Sequence, residues 1–277
     1  MIKKITIMSL IFLGVGAAQA MTNQKVSIKN IKDIEPYIVK LSKDYGKSSV
    51  CIVYDIDNTL LTNKEKFASE GWVYWQASKS NVYAKHLLSD QSANIYDFLN
   101  AVRYFINYQP VENDTVAVVN QLQKEYPSIA LTSRGFSAEA TTLRQLRING
   151  LDFTKNPIGS NQFDPSFFAQ NKYKNDYTMY SHGIQYAAGG DKGKLLLGLI
   201  EKERQKTNNP NLCQSVVYVD DTGSKVDMVK DELKGKLNYY TIHYTYLPDP
   251  ENSKNWEIAD WRKMSNYLQQ IVSRLNA

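Results

Sequence analysis

The sequence predicts an α/β protein: a Rossmann-like, three-layer parallel sheet with helices on both faces. Two observations predict it. Four short apolar runs, at residues 50–54, 129–131, 216–219 and 239–246, alternate with longer segments whose apolar residues recur at helical spacing. Strands alternating with helices form parallel sheets covered on both sides. Three of the runs also end in acids or a hydroxyl, at the carboxyl edge where such sheets bind ligands.

The elements follow in order. Residues 1–20 carry Lys3 and Lys4, an apolar stretch, and small residues ending Ala18-Gln19-Ala20, the three-part pattern of a secretory signal peptide. Cleavage after Ala20 leaves a chain of residues 21–277, exported to a periplasm or the medium. The apolar stretch is shorter than the roughly 20 residues that span a bilayer, so no membrane association is expected after cleavage. A helix is predicted over 28–45, then the strand 50–54. Residues 62–110 break the alternation and read as an insert after the first strand. Its positions Ile95, Phe98, Leu99, Val102, Phe105 and Ile106 are spaced as one face of a helix.

Beyond the insert the predicted order is helix 114–126, strand 129–131 and helix 137–149, ended by Gly150. An irregular stretch at 151–190 contains "YTMYSHGIQYAAGG", which reads as a hairpin turning at His182-Gly183. Helix 193–206, strand 216–219, helix 224–233, strand 239–246 and a last helix over 256–275 complete the chain.

Composition sets limits. A chain of this length buries roughly 70% or more of its unfolded surface and needs no disulfide scaffold. Removal of Lys3 and Lys4 lowers the formal charge of +5 to +3, and the basic residues are scattered, so no nucleic-acid partner is expected. The nineteen tyrosines belong more often to half-buried strand and cap positions than to a binding surface. Cys51 and Cys213 each precede an apolar strand. An oxidising compartment would let them pair, but two buried thiols are the default expectation. His86, His182 and His243 lie apart without metal-ligand spacing and are read as structural.

Four stretches carry chemistry. "VYDIDNTLL" sets Asp55 and Asp57 one residue apart where a buried strand ends, and strand alternation would aim both at one small volume. Like charges so placed call for a cation between them or a retained proton. The plain alternative is an acidic turn. "LTSRG" puts Thr132 at the next strand end, where a hydroxyl could donate to an anion or merely cap a turn. "GGDKGKLLLGLI" puts Lys192 at a helix entrance, with Lys194 as its competitor. The ammonium and the free N–H groups of a first turn would face an anion together. "VVYVDDTG" ends a strand in Asp220 and Asp221, and paired acids suit Mg²⁺.

Taken together and in this order, Asp-x-Asp-x-Thr, Thr, Lys and Asp-Asp resemble the four motifs of the haloacid dehalogenase (HAD) superfamily of phosphotransferases. The resemblance spans about residues 50–221 and implies a phosphatase domain of the HAD type over 21–277, with residues 62–110 as a small helical cap. It implies Mg²⁺-dependent hydrolysis of a small phosphorylated substrate through an aspartyl-phosphate. Asp55 would be the nucleophile and Asp57 the acid and base. Thr132, with Ser133 and Arg134, would bind phosphate or substrate, and Lys192 would offset charge. Asp55, Asp57 (by its carbonyl), Asp220 and Asp221 would hold the metal. In the insert, a ring of the cluster Trp72, Tyr74 and Trp75 could cover the site and stack on an organic leaving group, with Trp72 the first candidate, or the rings could instead pin the insert to the sheet. Transfer to another hydroxyl acceptor, or phospho-ligand binding without catalysis, are the alternatives on the same fold.

Overall fold

The computed structural model describes residues 21–64, 69, 103, 104, 106–160, 164–170 and 177–247. It is an α/β protein with a mostly parallel sheet flanked by helices, consistent with a Rossmann-like fold. The strands are β1 (Asn23–Ile28), β2 (Val50–Tyr54), β5 (Ser128–Thr132), β6 (Asp164–Gln170), β7 (Tyr177–Ser181), β8 (Ile184–Tyr186), β9 (Ser215–Asp220) and β10 (Asn238–Tyr244), with a separate two-stranded ribbon of β3 (Leu61–Asn63) and β4 (Tyr108–Pro110). The helices are α1 (Glu35–Tyr45), α2 (Thr115–Gln123), α3 (Glu139–Ile148), α4 (Lys192–Thr207) and α5 (Gly223–Leu233).

The eight-stranded sheet runs β1-β10-β9-β2-β5-β8-β7-β6. From β1 to β8 every neighbouring pair is parallel, and β7 and β6 extend the sheet antiparallel. All five residues of β2 are buried, as expected of a central strand covered on both faces. Its side chains divide by strand alternation. Val50, Ile52 and Tyr54 join a core with Ile38 and Leu41 of α1, Val119 of α2 and Leu146 of α3. Cys51 and Val53 join the opposite core with Leu196 and Ile200 of α4 and Val229 of α5. Each Ile or Val so buried contributes about 1.5–3 kcal/mol relative to exposure. The result is three layers, with the carboxyl ends of β2, β5 and β9 at one edge.

The predicted strands and the helices between them form with boundaries shifted by up to three residues. The stretch from 28 differs. Residues 23–28 form β1, paired in parallel with β10, and the helix begins only at Glu35. Asn30 and Asp33 cap one another around a short 3-10 turn at Ile31–Ile34, and Pro36 at the first helical turn fixes the start. An apolar face at helical spacing hid the strand that precedes it.

The cysteines also differ from expectation. Cys51 and Cys213 form a disulfide, with Cα atoms 5.0 Å apart across 162 residues of sequence. Cys51 lies in β2 beside β9, and Cys213, at positive φ just before β9, is turned toward it. Adjacency of the two strands decides the pairing, and that is a tertiary fact.

The hairpin forms as the sequence predicts, with His182 and Gly183 at φ 52° and 71° in its turn. A Cβ on Gly183 would sit 2.2 Å from the Phe153 carbonyl oxygen, so only glycine fits there. The insert leaves and returns through the β3–β4 ribbon, in which Leu61 pairs with Pro110 and Asn63 with Tyr108. Most of the predicted helical stripe, Trp72 and the 256–275 helix lie outside the described residues.

Candidate active site

The four stretches converge at the carboxyl edge of the sheet. After Tyr54 the chain leaves β2, though the Asp55 amide still donates to the Val219 carbonyl at 2.9 Å. The amides of Leu60 and Leu61 both donate to the Ile56 carbonyl, which closes a tight turn with Asn58 at φ 58°. Asn tolerates that left-handed conformation better than most residues. This turn separates the two acids. Strand alternation lapses after Tyr54, and Asp55 and Asp57 face different cations instead of crowding one volume.

Asp55 faces Lys192. The lysine Nζ donates to Asp55 Oδ1 at 2.6 Å and to Asp220 Oδ2 at 2.7 Å. Lys192 opens α4, whose first turn is capped by the Asp191 side chain accepting from the Lys194 amide. It is 2% exposed at the side chain, whereas Lys194 is 72% exposed and points to Asp191. The residue that reaches the acids is therefore Lys192. Gly193 lets α4 lie close on α5, since a Cβ there would come within 2.7 Å of Glu232 Cβ.

Asp220 ends β9 and Asp221 follows it. Asp220 Oδ1 accepts from the Thr222 amide at 2.8 Å, and its Oδ2 accepts from the Tyr218 hydroxyl as well as Lys192. Thr59 Oγ1 accepts from the Asp221 amide at 3.0 Å and donates to Asp221 Oδ1 at 3.3 Å, tying the first stretch to the last. One carboxylate oxygen each of Asp55, Asp220 and Asp221 lies within 4.8 Å of the others, and all three residues are buried. Three converging oxygen donors fit a hard divalent cation. The Asp57 carboxylate is not in this group.

Asp57 faces arginine. Arg134 donates from Nε and Nη2 to the two Asp57 oxygens, both at 2.8 Å, a bidentate fork. Its Nη1 donates to Thr142 Oγ1 at 3.0 Å and Gln145 Oε1 at 2.8 Å, both on α3. Arg134 is thus a buried partner of Asp57 and no surface residue. Thr132 Oγ1 accepts from the Arg134 amide at 3.1 Å. The loop 187–190 braces this stretch: the amides of Ala187, Ala188 and Gly189 donate to the carbonyls of Thr132, Arg134 and Ser133.

Burial and charge set the protonation of the site. Burial pushes the Asp55 carboxyl up to about 7, against the pull of Lys192 and with help from Asp220 and Asp57. Burial opposes ionisation of Asp57 too, yet the Arg134 and Arg103 guanidiniums outweigh it and hold Asp57 well below the usual carboxylate range. Burial would lower Lys192, but Asp220 and Asp55 raise it well above an ordinary lysine.

Sequence reasoning missed Tyr218, Arg103 and the Thr142–Gln145 pair, and it counted Thr59 in the first motif without giving it a role. Tyr218 stands two residues before Asp220 on one strand face, a signal that strand alternation could have supplied. Arg103 carries no such signal, because it belongs to the returning end of the insert. His243 donates from Nε2 to the Asp221 carbonyl at 3.0 Å, and His182 sits in the hairpin turn beside Glu139. His86 and Trp72 lie outside the described residues. A cavity of about 300 Å³ lined by Met21, Tyr45, Gln214, Lys236, Leu237 and Asn238 lies at the opposite, amino ends of the strands and contains no acid.

Residues 27–274 match the family described as protein of unknown function DUF2608, and the chain belongs to that family. No curated protein and no solved structure matches it.

Proposed function

We propose that this DUF2608 member is a Mg²⁺-dependent phosphatase of the HAD type, acting on small phosphomonoesters through a phosphorylated Asp55. The observation that carries the reading is the buried Asp55–Lys192–Asp220 constellation, with Asp221 beside it and Thr132 at the neighbouring strand end. Residues far apart in sequence meet there in the order of the four motifs. A bound Mg²⁺, held by Asp55, Asp220 and Asp221, would neutralise phosphate charge.

The chain's own residues would do the rest. An Asp55 oxygen attacks phosphorus, and the bond to the leaving oxygen breaks. Asp57 gives that oxygen a proton. Asp57 then takes a proton from water, the water oxygen attacks phosphorus, the bond to Asp55 breaks, and inorganic phosphate leaves. Lys192 offsets charge on Asp55 and the phosphoryl group, and the Thr132 hydroxyl and Ser133 orient phosphoryl oxygens. In the resting arrangement Asp57 is ionised and held by Arg134, so it must leave that fork and gain a proton before it can act as acid. Residues 62–110 would form the cap, hinged at the β3–β4 ribbon, with Trp72 against the leaving group.

The Cys51–Cys213 disulfide supports export, since such bonds persist in oxidising compartments. Phosphate release from an aryl phosphate, assayed with Mg²⁺ and after chelation, tests the reading. Release that depends on Mg²⁺ is expected. No release in Mg²⁺, or full release after thorough chelation, would overturn it.

A further inference from the structure

We propose that Arg103 is a specificity residue for substrates whose leaving group carries a second anionic charge. The inference rests on the phosphatase reading and deepens it. Arg103 belongs to the returning segment of the insert, and its backbone is placed by α3, where Gln145 Nε2 donates to the Arg103 carbonyl at 2.9 Å. The same Gln145 accepts from Arg134. The insert and the Asp57 fork are thus held by one side chain.

The Arg103 guanidinium is aimed at the Asp57 corner but does not bond there. Its Nη2 stands 3.9 Å from Asp57 Oδ2, beyond the hydrogen-bond range of about 2.7–3.2 Å. Both Asp57 oxygens are already taken by Arg134. Arg103 is only 8% exposed, and its buried Nε has no acceptor among the described residues. Tyr108, whose ring lies 5.3 Å from the Arg134 guanidinium carbon, interacts with Arg103 through its hydroxyl and supplies no negative charge.

Among the described residues, two buried guanidiniums therefore face one carboxylate at this corner. Buried polar groups are normally satisfied, and a planar guanidinium fork matches carboxylate or phosphate. The corner lies beside Asp57, the residue that would protonate the leaving oxygen. An anionic group on the leaving side is the ligand that this surplus of positive charge and this idle donor would take. Phosphate itself would be engaged on the other side, by Lys192 and Thr132.

Phosphoglycolate and ethyl phosphate test this, because they differ by a carboxylate in place of a methyl group. A charge-assisted pair in a buried site should make kcat/KM for phosphoglycolate higher by roughly tenfold or more. Arg103→Gln should reduce that ratio to about twofold or less, mainly through KM for phosphoglycolate, and Arg103→Lys, which keeps charge without the fork, should fall between. Calorimetric titration of phosphoglycolate into Asp55→Asn protein, with and without Arg103→Gln, reads the same contact in the absence of turnover. Turnover of both compounds at a ratio that Arg103→Gln does not move would overturn the inference and leave the phosphatase reading intact. No turnover of either, with binding weakened roughly tenfold by Arg103→Gln, would overturn the phosphatase reading and keep the anion seat.

Discussion

Asp55 and Asp57 stand two residues apart and meet opposite electrostatic surroundings. Asp55, raised to about 7 by burial, depends on Lys192 for its charge, while Asp57 is held ionised by Arg134. On the proposed mechanism Asp55→Asn keeps the shape but removes the nucleophile, so phosphatase activity should fall by more than about a hundredfold with folding intact, read by phosphate release and circular dichroism. Arg134→Gln should act on stability as well. Removing Arg134 leaves the buried Asp57 charge without its hydrogen-bonded partner and with only Arg103, 3.9 Å away, and should cost up to about 3–5 kcal/mol in denaturant unfolding at neutral pH. Adding Asp57→Asn should recover part of that loss, which a double-mutant cycle measures. The pH dependence has a definite sign. The folded value of Asp57 is depressed, so the pair's contribution is complete above the unfolded value of about 3.9 and is lost only as pH falls through the lower folded value.

At the scale of elements, the sequence was legible where period and punctuation agree. Strand β2 reads from an unbroken apolar run, and α4 from the apolar residues that follow Lys192. Strand β1 was not legible, because edge positions such as Asn23, Gln24 and Lys25 are exposed and carry no apolar alternation. The disulfide was not legible either, since it depends on β2 and β9 being neighbours. It closes a long loop, so replacing Cys51 and Cys213 together by serine should lower unfolding stability by about 2–5 kcal/mol. An unchanged denaturation midpoint would show that the bond contributes nothing. The neck of the insert was legible as a boundary, with Thr62 and Pro110 marking its ends, but the ribbon that joins them was not.

For the whole molecule, the sheet gathers Asp55, Thr132, Lys192, Asp220 and Asp221 at one edge, and these were legible because each ends a strand or starts a helix. What the order of motifs could not supply was the second layer of contacts. Gln145 and Arg103 are brought to the site by packing and no local spacing announces them, whereas Tyr218 shares a strand face with Asp220 and only alternation along β9 points to it. The central claim is that Asp55 accepts the phosphoryl group. Rapid acid quench of the protein mixed with Mg²⁺ and an aryl phosphate, followed by mass spectrometry of its peptides, tests this directly. A phosphoryl group on Asp55 that appears before steady turnover and is absent in Asp55→Asn is the predicted result. Substrate consumed with Asp55 never modified, or a phosphoryl group carried by another residue, would contradict it.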